Sequence, residues 1–194
     1  MQVTNSLLLR GKKVILREKR LDDAAKDYTW LCDSELARLD AASPMRISFR
    51  EFLADYTEEM RFTSRYRRRF AIDTIDGEYI GNVMYYDIDE GRGEAELGIM
   101  IGNRTYWSKG YGTCAITTLL EHIFSATSLK RIYLNTLDWN VQAQKCFEKC
   151  GFVSLKRVKR HNGTFVVMEV RRDLWLANNG KGLLVEEDAT SEAD

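Results

Sequence analysis

The sequence is short of histidine, carries no net charge and has no long apolar run near its start. Its two histidines, His122 and His161, are isolated from each other and give no zinc-ligand spacing, although Cys146 and Cys150 lie one helical turn apart. No metal is therefore expected, and Cys32, Cys114, Cys146 and Cys150 read as reduced core thiols. Lys plus Arg and Asp plus Glu both number 29, which leaves no global basic footprint for nucleic acid or membrane. The run Leu7-Leu8-Leu9 is too short for a signal peptide or a transmembrane helix, so a cytoplasmic protein is expected. What is present is a chain of 194 residues, 44% hydrophobic and 30% charged, which suits one globular domain able to bury its own core.

Residues 13–17 read as a first strand. Asp22 or Asp23 is placed to cap a helix running to about Leu39, with Ala24, Ala25, Tyr28 and Leu31 inward. Pro44 breaks the chain, and Ser48-Phe49-Arg50-Glu51 is a capping box opening a second helix. Phe49, Phe52, Leu53, Tyr56 and Met60 share its apolar face. Arg65, Arg67, Arg68 and Arg69 form a basic cluster, read first as a solvated loop or strand edge and alternatively as a contact to phosphate or RNA. Strands follow over 70–74 and 78–88 around the turn signal Asp76-Gly77, and a third over 94–101. An amphipathic helix carries Ala115, Ile116, Leu119, Leu120, Ile123 and Phe124 on one face. A strand over 131–137, a helix over 140–150 stopped by Gly151, and a hairpin of 153–160 and 164–171 around Asn162-Gly163 complete the pattern. Residues 177–194 turn glycine-rich and then acidic, and a disordered tail is expected there.

The centre of this order is strand, glycine loop, helix. The strand ends at Ile101, and Lys109-Gly110-Tyr111-Gly112-Thr113 leads into the helix. Glycines let backbone N–H groups approach a ligand closely, and a helix start adds unpaired N–H groups and partial positive charge, a combination that binds phosphate. No Gly-x-x-x-x-Gly-Lys-Ser/Thr run occurs, which excludes a P-loop. Gly110, Gly112 and Ala115 formally meet a dinucleotide fingerprint, but residues 103–109 separate them from the strand and the motif sits mid-chain.

Trp107-Ser108-Lys109-Gly110-Tyr111-Gly112 resembles the Arg/Gln-x-x-Gly-x-Gly/Ala loop of the GNAT acetyltransferases, with Trp107 where Arg or Gln is commoner. The Tyr-Trp pair there is similar to the RimJ/RimL-like branch of ribosomal-protein N-terminal and spermidine acetyltransferases. The run from Asn140 to Phe152 is similar to the family's Asn-x-x-Ala-x-x-x-Tyr-x-Lys-x-Gly-Phe signature. The resemblance covers residues 10–176 and implies one domain over 1–176. Its fold would be an α/β mixed sheet of about seven strands with a splayed central pair and about four helices.

The resemblance also implies the site. Backbone groups of Ile99, Met100 and Ile101 would pair with the pantetheine of acetyl-CoA. Trp107 belongs to the loop, and amides from Ser108, Lys109, Gly110, Tyr111, Gly112 and Thr113 would hold the pyrophosphate. Asn140 would bond the pantetheine or the adjacent strand end. Glu96 sits where many relatives carry a proposed general base; Glu94 is a weaker candidate, and a solvated strand start is the plain alternative. Strand alternation puts Leu97, Ile99 and Ile101 on one face and Glu96, Gly98 and Met100 on the other. Phe147 occupies the position of the family's tyrosine, so no general-acid hydroxyl is carried over there. The implied function is acetyl transfer from acetyl-CoA to a primary amine: a protein N-terminus, a polyamine or another small amine. Membrane and nucleic acid are not expected partners, and a homodimer stays open. Two other classes fit parts of the chain: an acyl-CoA-binding module without catalysis, on Phe147, and an RNA- or ribosome-associated domain, on the arginines.

Overall fold

The computed structural model describes residues 7–62 and 64–179. Among these described residues eight strands form one sheet in the order β1-β2-β3-β4-β5-β6-β8-β7. In chain order the elements are β1 (Leu8–Arg10), β2 (Val14–Glu18), α1 (Ala24–Cys32), α2 (Ser34–Leu39), α3 (Phe49–Arg61), β3 (Arg67–Thr74), β4 (Tyr79–Asp89) and β5 (Glu94–Ile101). Then come α4 (Tyr111–Ala126), β6 (Arg131–Leu137), α5 (Val141–Lys149), β7 (Val153–Arg160), β8 (Gly163–Arg171) and α6 (Arg172–Asn179). One strand and two helices go beyond the expected count for local reasons. The short β1 pairs with β2, and the single helix expected to reach Leu39 breaks at Asp33. Asp33 is extended and its carboxylate accepts from the amides of Glu35 and Leu36, so it starts α2 instead of continuing α1. Residues 177–179 belong to α6, and the rest of the expected tail lies outside the described residues. Among the described residues no helix is long and apolar enough to cross a membrane.

The sheet separates two layers. On one face α4 inserts its predicted stripe, with Ala115, Ile116, Leu119, Leu120, Ile123 and Phe124 all buried against the strands. The other face is covered by α1, α2 and α3 through Trp30, Leu36, Phe52 and Tyr56. The capping box at Ser48 and Glu51 forms as read, and Phe52 and Tyr56 turn inward, while Phe49 and Met60 remain exposed. In α1 the inner face is Ala24, Asp27 and Trp30, and Ala25 is exposed. Asp27 turns inward because it meets a buried cation: Lys19 Nζ lies 2.7 Å from its carboxylate, and Tyr79 and Asn82 donate to it. Asp23 does not cap α1 with its side chain; both its oxygens are taken by Arg17, at 2.8 Å each.

All but one of the sheet's neighbouring pairs are antiparallel. The exception is β5 with β6, which run parallel and pair only at Glu94–Arg131, Ala95–Ile132 and Glu96–Tyr133. Both strands continue beyond that point, to Ile101 and Leu137, without pairing to each other. The sheet is therefore split open just after Glu96.

Candidate active site

A cavity of about 380 Å³ lies at the mouth of this split. Of the residues singled out in the sequence, Ile99, Met100, Ile101, Trp107, Ser108, Gly110, Tyr111, Gly112, Thr113, Asn140 and Phe147 line it. Lys109 does not; its carbonyl accepts from Lys13 Nζ at 2.9 Å on the outer side of the loop. Glu96 stands apart from the lining, where the strands part.

The alternation expected for β5 holds. Leu97, Ile99 and Ile101 join the core on the α4 side, and Met100 packs with Trp30, Leu36 and Tyr79 on the other. The peptide groups alternate at right angles to the side chains. Gly102 N–H donates to the Ile80 carbonyl of β4 at 2.9 Å, so the peptide groups of Met100 also turn toward β4, where Met100 faces Asn82. Those of Ile99 and Ile101 turn the other way, toward the split. The expectation of three backbone partners for an extended ligand is thus corrected to two, since Met100 is used up in the ladder. At Ile101 the carbonyl is already taken by Trp107 Nε1, at 2.6 Å.

The glycine loop is shaped by backbone choices. Ser108 and Gly110 both have positive φ, +58° and +82°, and Gly110 stands at the N-cap of α4. The first loop-to-helix backbone bond is Cys114 N–H to the Gly110 carbonyl, at 3.0 Å. The amides of Tyr111, Gly112 and Thr113 precede it in the first turn and have no intrahelical acceptor, so they present donors and the positive helix end to the cavity. Gly112 itself has ordinary φ, and a Cβ there would meet only Cys146 Sγ at 3.5 Å and Ile101 Cγ1 at 3.9 Å. The demand for glycine backbone angles therefore applies to Gly110 alone. Gln142 Nε2 donates to Ser108 Oγ at 3.1 Å, which ties the loop to α5.

From α5, Asn140 caps the helix, its Oδ1 accepting from Ala143 N–H at 3.2 Å, and it lines the cavity as well. Phe147 is buried against Phe152 and offers the cavity no hydroxyl. Cys146 is a lining residue, a correction to its reading as a core thiol. A hydrogen bond from Cys150 holds the Cys146 thiol below its ordinary pKa against the opposing effect of burial, with Thr113 and the Lys149 charge acting in the same lowering sense.

Glu96 is half-buried and accepts from Asn135 Nδ2 at 2.9 Å across the split. Burial raises the Tyr86 hydroxyl pKa, and the charge and hydrogen bond of Glu96 raise it further, with Asp40 and Asp87 adding to the effect. Asp40, at the end of α2, lines the cavity. Asp40, Tyr86 and Asn135 were not singled out in the sequence. Asn135 had one signal, a polar residue of low β propensity in the middle of an alternating strand; Asp40 had none. Glu94 is committed to Arg131, at 2.7 Å, which removes it as a base. The arginine cluster also has local partners: Arg67 and Arg69 both pair with Glu59 of α3, and Arg68 donates to the Ser64 carbonyl.

A profile of the family described as "Acetyltransferase (GNAT) domain" matches residues 13–153. The chain belongs to that family, and it is an acetyl-CoA-dependent N-acetyltransferase of the GNAT type. Across 145 residues it is 24% identical to an N-acetyltransferase called p20 from Bacillus licheniformis, covering 74% of this chain and 81% of the relative. It is 31% identical over 86 residues to spermidine N(1)-acetyltransferase of Vibrio cholerae, covering 44% of this chain and 49% of that enzyme, so this match spans about half of either protein. The crystal structure of spermidine N-acetyltransferase from Vibrio cholerae in complex with CoA and spermine superposes with a TM-score of 0.75 at 22% identity, over 84% of this chain and 98% of that one, which establishes the fold.

Proposed function

We propose that the chain transfers the acetyl group of acetyl-CoA directly to a primary amine that enters beside Glu96, and that the amine is polycationic. The observation that carries this reading is the split after Glu96 and Tyr133: the cavity at its mouth is lined by the glycine loop, and Glu96 stands where the strands part. Amides of Tyr111, Gly112 and Thr113 would hold the pyrophosphate, and peptide groups of Ile99 and Ile101 the pantetheine. An N–H of β5 at the split would polarise the thioester carbonyl; one such preorganised donor is worth about 3 kcal/mol in the transition state. Glu96 would take the proton from the attacking amine, directly or through one water. An alkylamine with pKa near ~10.4 is mostly protonated at neutral pH, so a positioned base matters, contributing roughly 100- to 10,000-fold. The departing thiolate, with a thiol pKa near ~8.5, can take its proton from water where Phe147 has none to give. Asp87 and Glu96, with Asp40 on the cavity wall although burial raises its pKa, make the acceptor side acidic, which favours an amine carrying further positive charges, such as the polyamine named for the Vibrio cholerae relative.

The test is turnover with acetyl-CoA against a panel of polyamines, aminoglycosides, amino acids and N-terminal peptides, with amine-free hydrolysis as control. Acetylation of a polycationic amine well above hydrolysis is the expected result. Tight CoA binding without acetylation of any amine, by the parent or by Phe147→Tyr, would leave an acyl-CoA-binding module as the better account.

A further inference from the structure

We propose that Asn135 and Arg160 are positioning residues that hold Glu96 in its proton-accepting orientation across the strand split. The proposal rests on the reading of Glu96 as the base. Below Glu96 the β5–β6 ladder fixes the strands to each other; above it nothing in the ladder does. Asn135 lies two residues beyond the last paired residue of β6, and its Nδ2 reaches back to Glu96 Oε1 at 2.9 Å. An amide can flip and present its oxygen instead, which would repel a carboxylate. Arg160 prevents that. Its Nη2 donates to Asn135 Oδ1 at 3.1 Å, and a guanidinium has only donors, so the amide oxygen must face Arg160 and the NH₂ must face Glu96.

Arg160 is itself anchored. It ends β7, its guanidinium lies 5.1 Å from the Phe165 ring, and two residues on Asn162 Nδ2 donates to the Ala41 carbonyl at 3.0 Å. Ala41 directly follows Asp40 of the cavity wall. The hairpin that reaches the acceptor side therefore also sets the amide that aims the base. The other groups in this neighbourhood are Tyr86 and Asp87 of β4, Glu94 of β5, Arg131 and Tyr133 of β6, and Asp40; Tyr86 hydrogen-bonds Glu96 from the β4 side, whereas Asn135 reaches its carboxylate from across the split.

The experiment is steady-state kinetics with acetyl-CoA and spermidine, or the best amine of the panel. Asn135→Leu should lower kcat about tenfold or more while KM for acetyl-CoA stays within about threefold. Arg160→Leu should lower kcat in the same sense by a smaller factor, and Arg160→Lys should recover part of it. Arg160 is exposed, so its variants keep the test valid if Asn135→Leu fails to fold. Glu96→Gln combined with Asn135→Leu should be no slower than Glu96→Gln alone. Parent-like kcat in Arg160→Leu and in a folded Asn135→Leu, beside a slow Glu96→Gln, overturns the positioning roles and leaves the base in place. Parent-like kcat in Glu96→Gln overturns the base and this proposal together.

Discussion

The Trp107 indole donates to the Ile101 carbonyl at 2.6 Å, and this one bond fastens the end of β5 to the loop that leads into α4. The ring also lies beneath the Arg104 guanidinium, 5.6 Å away, and Arg104 in turn pairs with Asp33 at the start of α2. Trp107 thus links the strand at the split to both walls of the cavity. Trp107→Phe keeps an aromatic ring, though a smaller one, and removes the donor, whose loss alone costs about 1 kcal/mol. The expected outcome is a rise of a few fold in KM for acetyl-CoA with kcat unchanged, the signature of lost uniform binding. A fall in kcat at constant KM would mean that the indole acts on the reacting centre instead.

The two loop glycines should separate under mutation. Gly110 sits at φ +82°, so Gly110→Ala is expected to cost about 1 kcal/mol of folding stability. Gly112→Ala places its Cβ in ordinary contact and should melt like the parent. Gly112→Val adds methyl groups beside Cys146 and Ile101 and should weaken CoA binding about tenfold by calorimetry while the protein stays folded. Unchanged affinity in a folded Gly112→Val would remove this loop as the pyrophosphate site.

Much of this region was legible before the fold was known, and the reasons are local. Alternation fixes which side chains of β5 share a face, and helical spacing fixes the apolar stripe from Ala115 to Phe124, because each depends on neighbours a few residues apart. The roles of Asn135, Arg160 and Asp40 are not legible in the sequence because they are non-local. These residues come from β6, β7 and the end of α2, and only the strand order brings them to Glu96. The inward turn of Asp27 was hidden for the same reason, since its partner Lys19 belongs to another element. The spending of the Met100 peptide groups on β4 depends on ladder register, which side-chain pattern does not report.

Cys146 offers a direct probe of the cavity. Its thiol is held below its ordinary pKa, so alkylation by iodoacetamide should reach half its limiting rate below the free-cysteine value of about 8.5. Saturating CoA should slow the reaction at least about tenfold, and Cys146→Ser should remove the protected site. Labelling of Cys146 at equal rates with and without CoA would contradict occupation of this cavity.

The buried charges under α1 set the acid limit of the fold. Burial alone would raise the Asp23 pKa, but hydrogen bonds from Arg17 and from the Arg20 amide outweigh it, and the carboxyl titrates below its ordinary value. A depressed folded pKa means stability present above the unfolded value of about 3.9 and lost as pH falls through the folded one, so thermal stability should decline below about pH 4. Arg17→Leu removes the guanidinium that the buried Asp23 and Asp73 share, leaving Asp23 the Arg20 amide and Lys19 at 3.8 Å. It is expected to cost about 3–5 kcal/mol in urea unfolding at pH 7, and a loss under about 1 kcal/mol would refute that reading.

The three residue pairs between β5 and β6 make the sheet two leaves on a narrow spine: β1 to β5 on one side, β6 to β8 on the other. The leaves diverge on the side where an extended ligand would lie along Ile99 and Ile101. Such a ligand would act as a splint, bridging leaves that the ladder leaves apart, and stiffness would become a property of the loaded protein more than of the empty one. Anything that braces the leaves without the ligand, such as the Asn135 span or the hairpin resting on Ala41, then pre-sets the width of the opening into which acetyl and amine must both fit.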